Sequence, residues 1–374
     1  MHFRIWSPRR TTGSRTTGSR LPLYPTLLMA LFVASAILLA GCQTPPPQAQ
    51  GQPQAGETKG ETEEPAKLVI YSGRNENLVG PLIQQFQEES GIQVEVRYGG
   101  TAELAATILE EGKNSPADVF YGQDAGALGA LNKAGRFAPL PQEILERVPE
   151  RFRSRDGKWV GASGRARVFV YNTEELSESD LPDDHWGLTD PRWKGQVGWA
   201  PTNGSFQAFV TAMRVLEGEE KAREWLEAMI ANDVQAYPKN TPIVDATARG
   251  EILVGLVNHY YLYRFIAEEG ESFPARNYHP RGGGPAAMIN VAGAGILDTA
   301  QHPEAARKFV AFLLSETAQR YVAETTFEYP LVEGVPAHPM LTPLDQIPVP
   351  DLDLNDLDDL QGTLELLREV GALD

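Results

Sequence analysis

Two adjacent phenols, Tyr260 and Tyr261, are the residues of this 374-residue chain whose type and spacing most readily do chemistry. They follow the apolar run Ile252–Val257 through Asn258-His259, so they fall where a buried strand ends and a helix begins. Open α/β sheets bind ligands at that edge. Such a pair can pack in a core, hydrogen-bond its surroundings, or donate oxygen to a hard cation. Ferric ion is a hard acid that prefers oxygen, and a bound cation makes phenolate accessible far below its ordinary pKa of about 10. Two phenolates and one carbonate dianion would leave one excess negative charge against Fe3+, to be balanced by a cationic side chain. Arg74 is the first candidate, with Arg165 and Arg167 behind it.

The turns that follow the other predicted strands carry Arg74, Asn75, Thr101, Gln123, Thr202 to Ser205, and Asn240, mostly hydrogen-bond donors. With Asn258 they would face the same cleft as the tyrosines. Asn203-Gly204-Ser205 stands just before a predicted helix, where free backbone N–H groups and the helix dipole favour an anion, or where an ordinary N-cap would serve. The cleft therefore suits an anion or an anion-ligated cation.

Other chemistries are excluded or disfavoured. Cys42 is the single cysteine, so there is no intrachain disulfide and no thiolate cluster for zinc, copper or iron–sulfur chemistry. Neither a Gly-x-Ser-x-Gly elbow nor a His-Glu-x-x-His pair is present, which argues against an enzyme such as a metal-assisted hydrolase. The net charge of −17, with no Lys/Arg-rich block after the leader, argues against nucleic acid. The acidic stretch 351–359 lacks a glycine at the sixth and an acidic residue at the twelfth position of a calcium loop, and reads as a solvated turn before a closing helix over 364–370.

Residues 1–41 read as a signal peptide. Arg4, Arg9, Arg10, Arg15 and Arg20 precede an apolar stretch from Leu27 to Gly41, too short to span a bilayer comfortably. Leu39-Ala40-Gly41-Cys42 resembles a bacterial lipobox, which makes Cys42 the expected lipidated N-terminus of an exported protein anchored to the membrane. The Pro-, Gln-, Gly- and Glu-rich segment 42–66 reads as a flexible tether.

Positioning the loop residues falls to a β/α alternation. Strands at 68–71, 92–96 and 118–121 alternate with helical patterns such as Leu78, Leu82, Ile83 and Phe86, which predicts an α/β fold with a parallel sheet. The long extended run 159–172 reads as a crossover into a second lobe, and 287–296 as a return strand. A helix over 303–314 carries an apolar stripe.

Six stretches then carry a resemblance: residues 69–74, 116–121, 163–168, Pro201-Thr202-Asn203-Gly204-Ser205-Phe206, Lys239-Asn240, and Asn258-His259-Tyr260-Tyr261. In this order the chain resembles the bacterial periplasmic ferric-ion-binding proteins, the solute-binding components of iron(III) ABC importers. The resemblance implies a type II, transferrin-like clamshell with hinge strands and a central cleft. It also implies Fe3+ held by Tyr260 and Tyr261 with a synergistic carbonate or bicarbonate, and delivery by a monomer to a permease and its ATPase subunit. The lobes would be 67–165 plus about 291–341, and 166–290 plus about 342–374. Where some relatives place a histidine, a glutamate or a further tyrosine, this chain has Asn75, Gln123 and Phe206. A third tyrosine, Tyr171, Tyr237 or Tyr263, stays open. His259 is expected to point away from Tyr260 by alternation along an extended segment and to be structural. The alternative function is a receptor for an oxyanion or phosphonate without iron.

Overall fold

The computed structural model describes residues 66–373. The expected signal peptide, the expected lipidation site at Cys42 and nearly all of the expected tether lie outside the described residues. Among the described residues no helix is long and apolar enough to cross a membrane.

The chain opens as alternating units: β1 (Lys67–Ser72), α1 (Glu76–Ser90), β2 (Gln93–Tyr98), α2 (Thr101–Glu111), β3 (Val119–Gly122), α3 (Ala125–Lys133) and the short α4 (Gln142–Leu145). Helix α1 shows how the sequence sets these boundaries. Asn75 caps its start through the Asn77 N–H, and Leu78, Val79, Leu82, Ile83 and Phe86 bury one face. Gly91 at φ 70° ends it in a left-handed turn that suits a residue without Cβ.

Strand β4 (Trp159–Asn172) follows, fully buried along its length. Beyond it come β5 (Val197–Trp199), α5 (Gly204–Glu217), α6 (Glu219–Ala231), β6 (Gln235–Ala236), α7 (Asn240–Ala248), β7 (Val254–Asn258), α8 (Tyr260–Glu269) and β8 (Ala275–Tyr278). The chain returns through β9 (Ile289–Ile296) and closes with α9 (Pro303–Leu313), α10 (Glu316–Glu324) and α11 (Leu360–Glu369).

The strands order as β2-β1-β3-β9-β4-β7-β5-β6, with β8 also paired to β4. β1 pairs parallel with β2 and β3, as the β/α alternation predicts. β4 changes partner midway: residues 159–166 run antiparallel to β9, and 167–171 antiparallel to β7. One strand thus belongs to both halves of the sheet, and β9 bridges β3 and β4. The long extended run expected from the sequence is thus a single strand that spans two pairings.

The C-terminal segment touches both halves. Thr363 shares a 2.7 Å hydroxyl hydrogen bond with Thr211 of α5, and Asp359 pairs with Arg214 at 2.7 Å. Asp358 meets Lys133 of α3 at 3.2 Å, and Asp353 meets Arg155 at 2.6 Å. The acidic stretch expected to be a solvated turn is therefore a fastening. α11 starts at Leu360, earlier than expected, because the Asp359 carboxylate caps the Gly362 N–H. Helix α7 begins at Asn240, which is itself fully buried.

Candidate metal centre

The loops that follow β1, β2, β3 and β5 converge with the starts of α7 and α8 on a cleft of about 560 Å³. Of the predicted site residues, Arg74, Asn75, Thr101, Gln123, Asn203, Gly204 and Tyr261 line it. Ser205, Asn240, Asn258 and Tyr260 are buried in its walls. Tyr171, Tyr237 and Tyr263 are not among the lining residues, whereas Tyr98, at the end of β2, is. Tyr98 is thus the phenol that lines the cleft beside Tyr261, and the sequence presents it only as the start of a glycine-rich loop.

Tyr260 and Tyr261 open α8 directly after β7, and their rings stack with centroids 4.2 Å apart at 29°. Tyr260 is fully buried and its hydroxyl has no hydrogen-bond partner. Burial, then the neighbouring Tyr261, pushes the Tyr260 phenol well above its ordinary range. Deprotonation therefore needs a cation at hand.

His259 fixes this junction. Its backbone is helical (φ −56°, ψ −40°), not extended, so strand alternation does not apply to it. The expected structural role nevertheless has a concrete form. Its Nδ1 accepts the Ala166 N–H at 3.1 Å, and its Nε2 lies 2.8 Å from the Phe327 carbonyl. Only the neutral Nε2–H tautomer satisfies both bonds. Burial, reinforced by His279, lowers its pKa to about 3.

The charges around the pair differ from expectation. Arg74 is not a free counter-charge, because its guanidinium is spent on the buried Glu328 carboxylate, which also accepts from Ser163. Burial opposes the charge on Arg74, but Glu328 more than compensates and raises its pKa. Arg165 and Arg167, each 1% exposed, bond only to the Val291 and Leu256 carbonyls, and the Nε and Nη1 of both are unpartnered. Burial, then repulsion from Arg165, lowers the pKa of Arg167 to about 9, with Tyr261 opposing the shift. Two buried guanidiniums without a carboxylate call for an anionic partner.

Several polar groups point the same way. Asn240 is fully buried with both amide atoms unpartnered, and Asn258 Nδ2 and Gln123 Nε2 are unpartnered too. Asn75 and Asn203 instead spend their side-chain oxygens on the N–H groups of Asn77 and Ser205, the plain capping role the sequence leaves open for Asn203. Thr101 Oγ1 donates to the Gly73 carbonyl at 3.2 Å. Phe206 packs edge-on against Trp199 and under the Arg167 guanidinium, so this position supplies apolar support and no oxygen.

Two residues of the site escape the sequence reading. Glu328 is 254 positions from Arg74, and no local pattern links them. Asp124, beside Gln123, is 1% exposed. Its Oδ1 caps the Ala127 N–H at 2.9 Å, while Oδ2 is unpartnered. Burial raises its pKa to about 6 against the pull of the Ala127 N–H, so it is still mostly ionised at neutral pH. The Asp before a helical pattern was the available signal, and it announced the cap rather than the second oxygen. Among the described residues no cluster of three His, Cys, Asp or Glu could hold a metal ion, so phenol oxygen is the distinctive donor of this cleft.

Comparison with known proteins places this geometry. The profile of the bacterial extracellular solute-binding proteins matches residues 114–356. The chain is 34% identical over 308 residues to the Fe(3+)-binding periplasmic protein of Serratia marcescens, covering 82% of this chain and 90% of that one. It is 34% identical over 309 residues to the major ferric iron-binding protein of Neisseria meningitidis, covering 82% and 93%. Iron-bound HitA from Pseudomonas aeruginosa superposes with a TM-score of 0.78 at 37% identity, covering 82% of this chain and all of that one. The partner change in β4, the cleft between the two halves of the sheet and this breadth of likeness agree: the chain belongs to the bacterial extracellular solute-binding proteins, among the periplasmic ferric-ion-binding proteins with their type II clamshell fold.

Proposed function

We propose that this protein captures ferric iron and delivers it to an ABC importer. Tyr260 and Tyr261 would supply phenolate oxygens, with carbonate or bicarbonate as synergistic anion. The observation that carries this is the stacked tyrosine pair, one hydroxyl buried without a partner, in a site that also holds two buried guanidiniums without a carboxylate. Fe3+, two phenolates and carbonate sum to one negative charge, and Arg165, Arg167 and ionised Asp124 to one positive charge. Arg165 and Arg167 thus take the balancing role first assigned to Arg74. Asn240, Asn258 and Gln123 would donate hydrogen bonds to the anion or its waters.

In this reading β4 and β9 are the hinge, the lobes comprise 67–165 plus about 291–341 and 166–290 plus about 342–374, and the C-terminal segment fastens one to the other. The protein is a binding component, not an enzyme. It works as a monomer, exported and tethered through Cys42, and hands iron to a permease driven by its ATPase subunit. Ferric iron with bicarbonate should give a visible phenolate-to-iron charge-transfer band that is lost in Tyr260→Phe and in Tyr261→Phe. A colourless protein under those conditions sinks the proposal.

The second function that the site supports is an iron-free oxyanion receptor, favoured by the same unpaired Arg165 and Arg167. Anion binding would then survive both chelation and loss of the two tyrosine hydroxyls.

A further inference from the structure

Three consecutive residues after α10, Phe327, Glu328 and Tyr329, brace the junction that carries the tyrosine pair. Phe327 has φ 55°, a left-handed backbone that is costly for a bulky side chain and persists only where its surroundings over-determine it. Its carbonyl meets His259 Nε2 at 2.8 Å, and its ring stacks on Tyr263. Tyr329 exchanges two backbone hydrogen bonds with Gly164 of β4 and lays its ring 4.7 Å from that of His259. Between them Glu328 is fully buried, one carboxylate oxygen accepting from the Arg74 guanidinium and the other from the Ser163 hydroxyl. Both oxygens accept, as an ionised carboxylate does.

Bracing alone does not call for a charge there. A buried ion pair contributes no more stability than well-packed apolar residues of the same volume. What it does that apolar packing cannot is cancel a cation. Arg74 lines the cleft. Its guanidinium carbon lies 6.0 Å from the centre of the Tyr121 ring, and its Nε is buried without a partner. Burial and then Tyr261 raise the Tyr260 phenol; among the lesser influences Arg74 lowers it and Glu328 raises it. The two charges thus act on one phenol in opposite senses.

With Arg74 balanced, Arg165, Arg167 and ionised Asp124 leave the empty site at one positive charge, and iron with two phenolates and carbonate brings it to zero. An unbalanced Arg74 would leave the empty site at two positive charges and hold the same negative assembly harder. A receptor that must surrender its iron is served by the weaker grip.

We infer that Glu328 sets how tightly the cleft holds its load: by cancelling the charge of Arg74 it keeps the grip reversible. Glu328 touches neither metal nor anion, so it is a positioning residue that acts through Arg74. The inference rests on the ferric reading for the identity of the load.

The test loads purified wild type, Glu328→Gln, and the double variant Arg74→Gln with Glu328→Gln with ferric iron and bicarbonate, and reads from the charge-transfer absorbance the EDTA concentration that removes half the iron. Glu328→Gln keeps the shape and an acceptor for Arg74 but loses the charge, so it should need at least about tenfold more EDTA. Its band should also move to shorter wavelength, because a cation beside the phenolate stabilises the electrons that the transition moves to iron. The double variant, again without net charge at this position, should return to within about threefold of wild type. Damaged packing alone would lower retention in both variants without that shift in wavelength. Circular dichroism confirms that the variants are folded. Glu328→Asp withdraws the carboxylate from Arg74 by one methylene; it should raise the EDTA requirement about threefold, and it decides if Glu328→Gln does not fold. In a separate arm without iron, inorganic phosphate should raise the unfolding temperature of Glu328→Gln more than that of wild type, and that of the double variant no more than that of wild type. A colourless wild type overturns the ferric reading, and the phosphate arm then decides this inference. Where wild type binds iron, an unchanged or lower EDTA requirement in the Glu328 variant, or a double variant that keeps the tenfold gain, overturns it. Where wild type does not, an equal phosphate response in Glu328→Gln and wild type overturns it.

Discussion

The Arg74 guanidinium and the Glu328 carboxylate form a buried ion pair across 254 residues of sequence, with side chains 2% and 0% exposed. The pair joins the loop after β1 to the segment after α10, and it removes from the cleft the cation that its sequence position advertises. It also makes the two partners unequal, because an abandoned carboxylate can take up a proton whereas an abandoned guanidinium cannot release one.

Glu328→Ala should therefore cost about 3–5 kcal/mol of stability, and Arg74→Met clearly less. Urea denaturation of the two variants at neutral pH checks this. Equal losses would mean that the pair is not desolvated as described.

Tyr260→Phe removes a buried hydroxyl that has no partner, so the iron-free protein should be stabilised by about 1 kcal/mol while losing the iron colour. Tyr261→Phe should lose the colour too, with no comparable gain in stability, since its side chain lines the cleft. Thermal unfolding without iron, set beside the visible spectrum, tests both. A destabilised Tyr260→Phe would reveal a partner for the hydroxyl.

Asp124 has a folded-state pKa raised to about 6 from an ordinary 3.8, so ionising it costs stability. Its favourable contribution is complete below about pH 4 and lost as pH rises through about 6, on the order of 3 kcal/mol in all. Relative to wild type, Asp124→Asn should gain stability by that order between pH 4 and pH 7. Parallel denaturation midpoints for the two proteins over that range would refute it.

His259, held near pKa 3 by burial, should keep the Nε2–H tautomer from pH 8 to pH 5. Its folded pKa lies below the unfolded 6.5, so its contribution to stability is present above about 6.5 and lost as pH falls toward 3. Nitrogen-15 shifts of the imidazole report this directly, and a titration near pH 6.5 would contradict it.

The β/α alternation was legible because it is local: Leu78, Leu82, Ile83 and Phe86 at helical spacing mark α1, and an apolar run marks β7. The same locality placed Tyr260 and Tyr261 at a strand-to-helix junction. It failed for His259, because the helical turn begins at that residue and strand alternation had already stopped. Glu328 was invisible because only tertiary folding brings it to Arg74. Tyr98 was passed over because its place at the cleft depends on the pairing of β2 with β1, and a lone tyrosine before two glycines gives no hint of that. Asp124 illustrates a further limit, since pattern reading assigns a capping residue one role and this carboxylate has an oxygen to spare.

The C-terminal segment gives the two halves of the sheet a shared fastener remote from the strands that would flex. On the α3 side its links, Arg155 with Asp353 and Asp356 and Lys133 with Asp358, are largely solvent-exposed ion pairs. Exposed pairs are weak and screened by salt, whereas the grip on α5 includes a buried hydroxyl pair, Thr211 with Thr363. Beneath the exposed pairs Leu354 and Leu357 are buried, and a Cβ built on Gly129 of α3 would stand 3.1 Å from Asp358 Cα, so the segment also packs its backbone closely on α3. Salt should therefore loosen only the outer ion pairs of this fastener, while the packed backbone on α3 and the hydroxyl pair on α5 keep their hold.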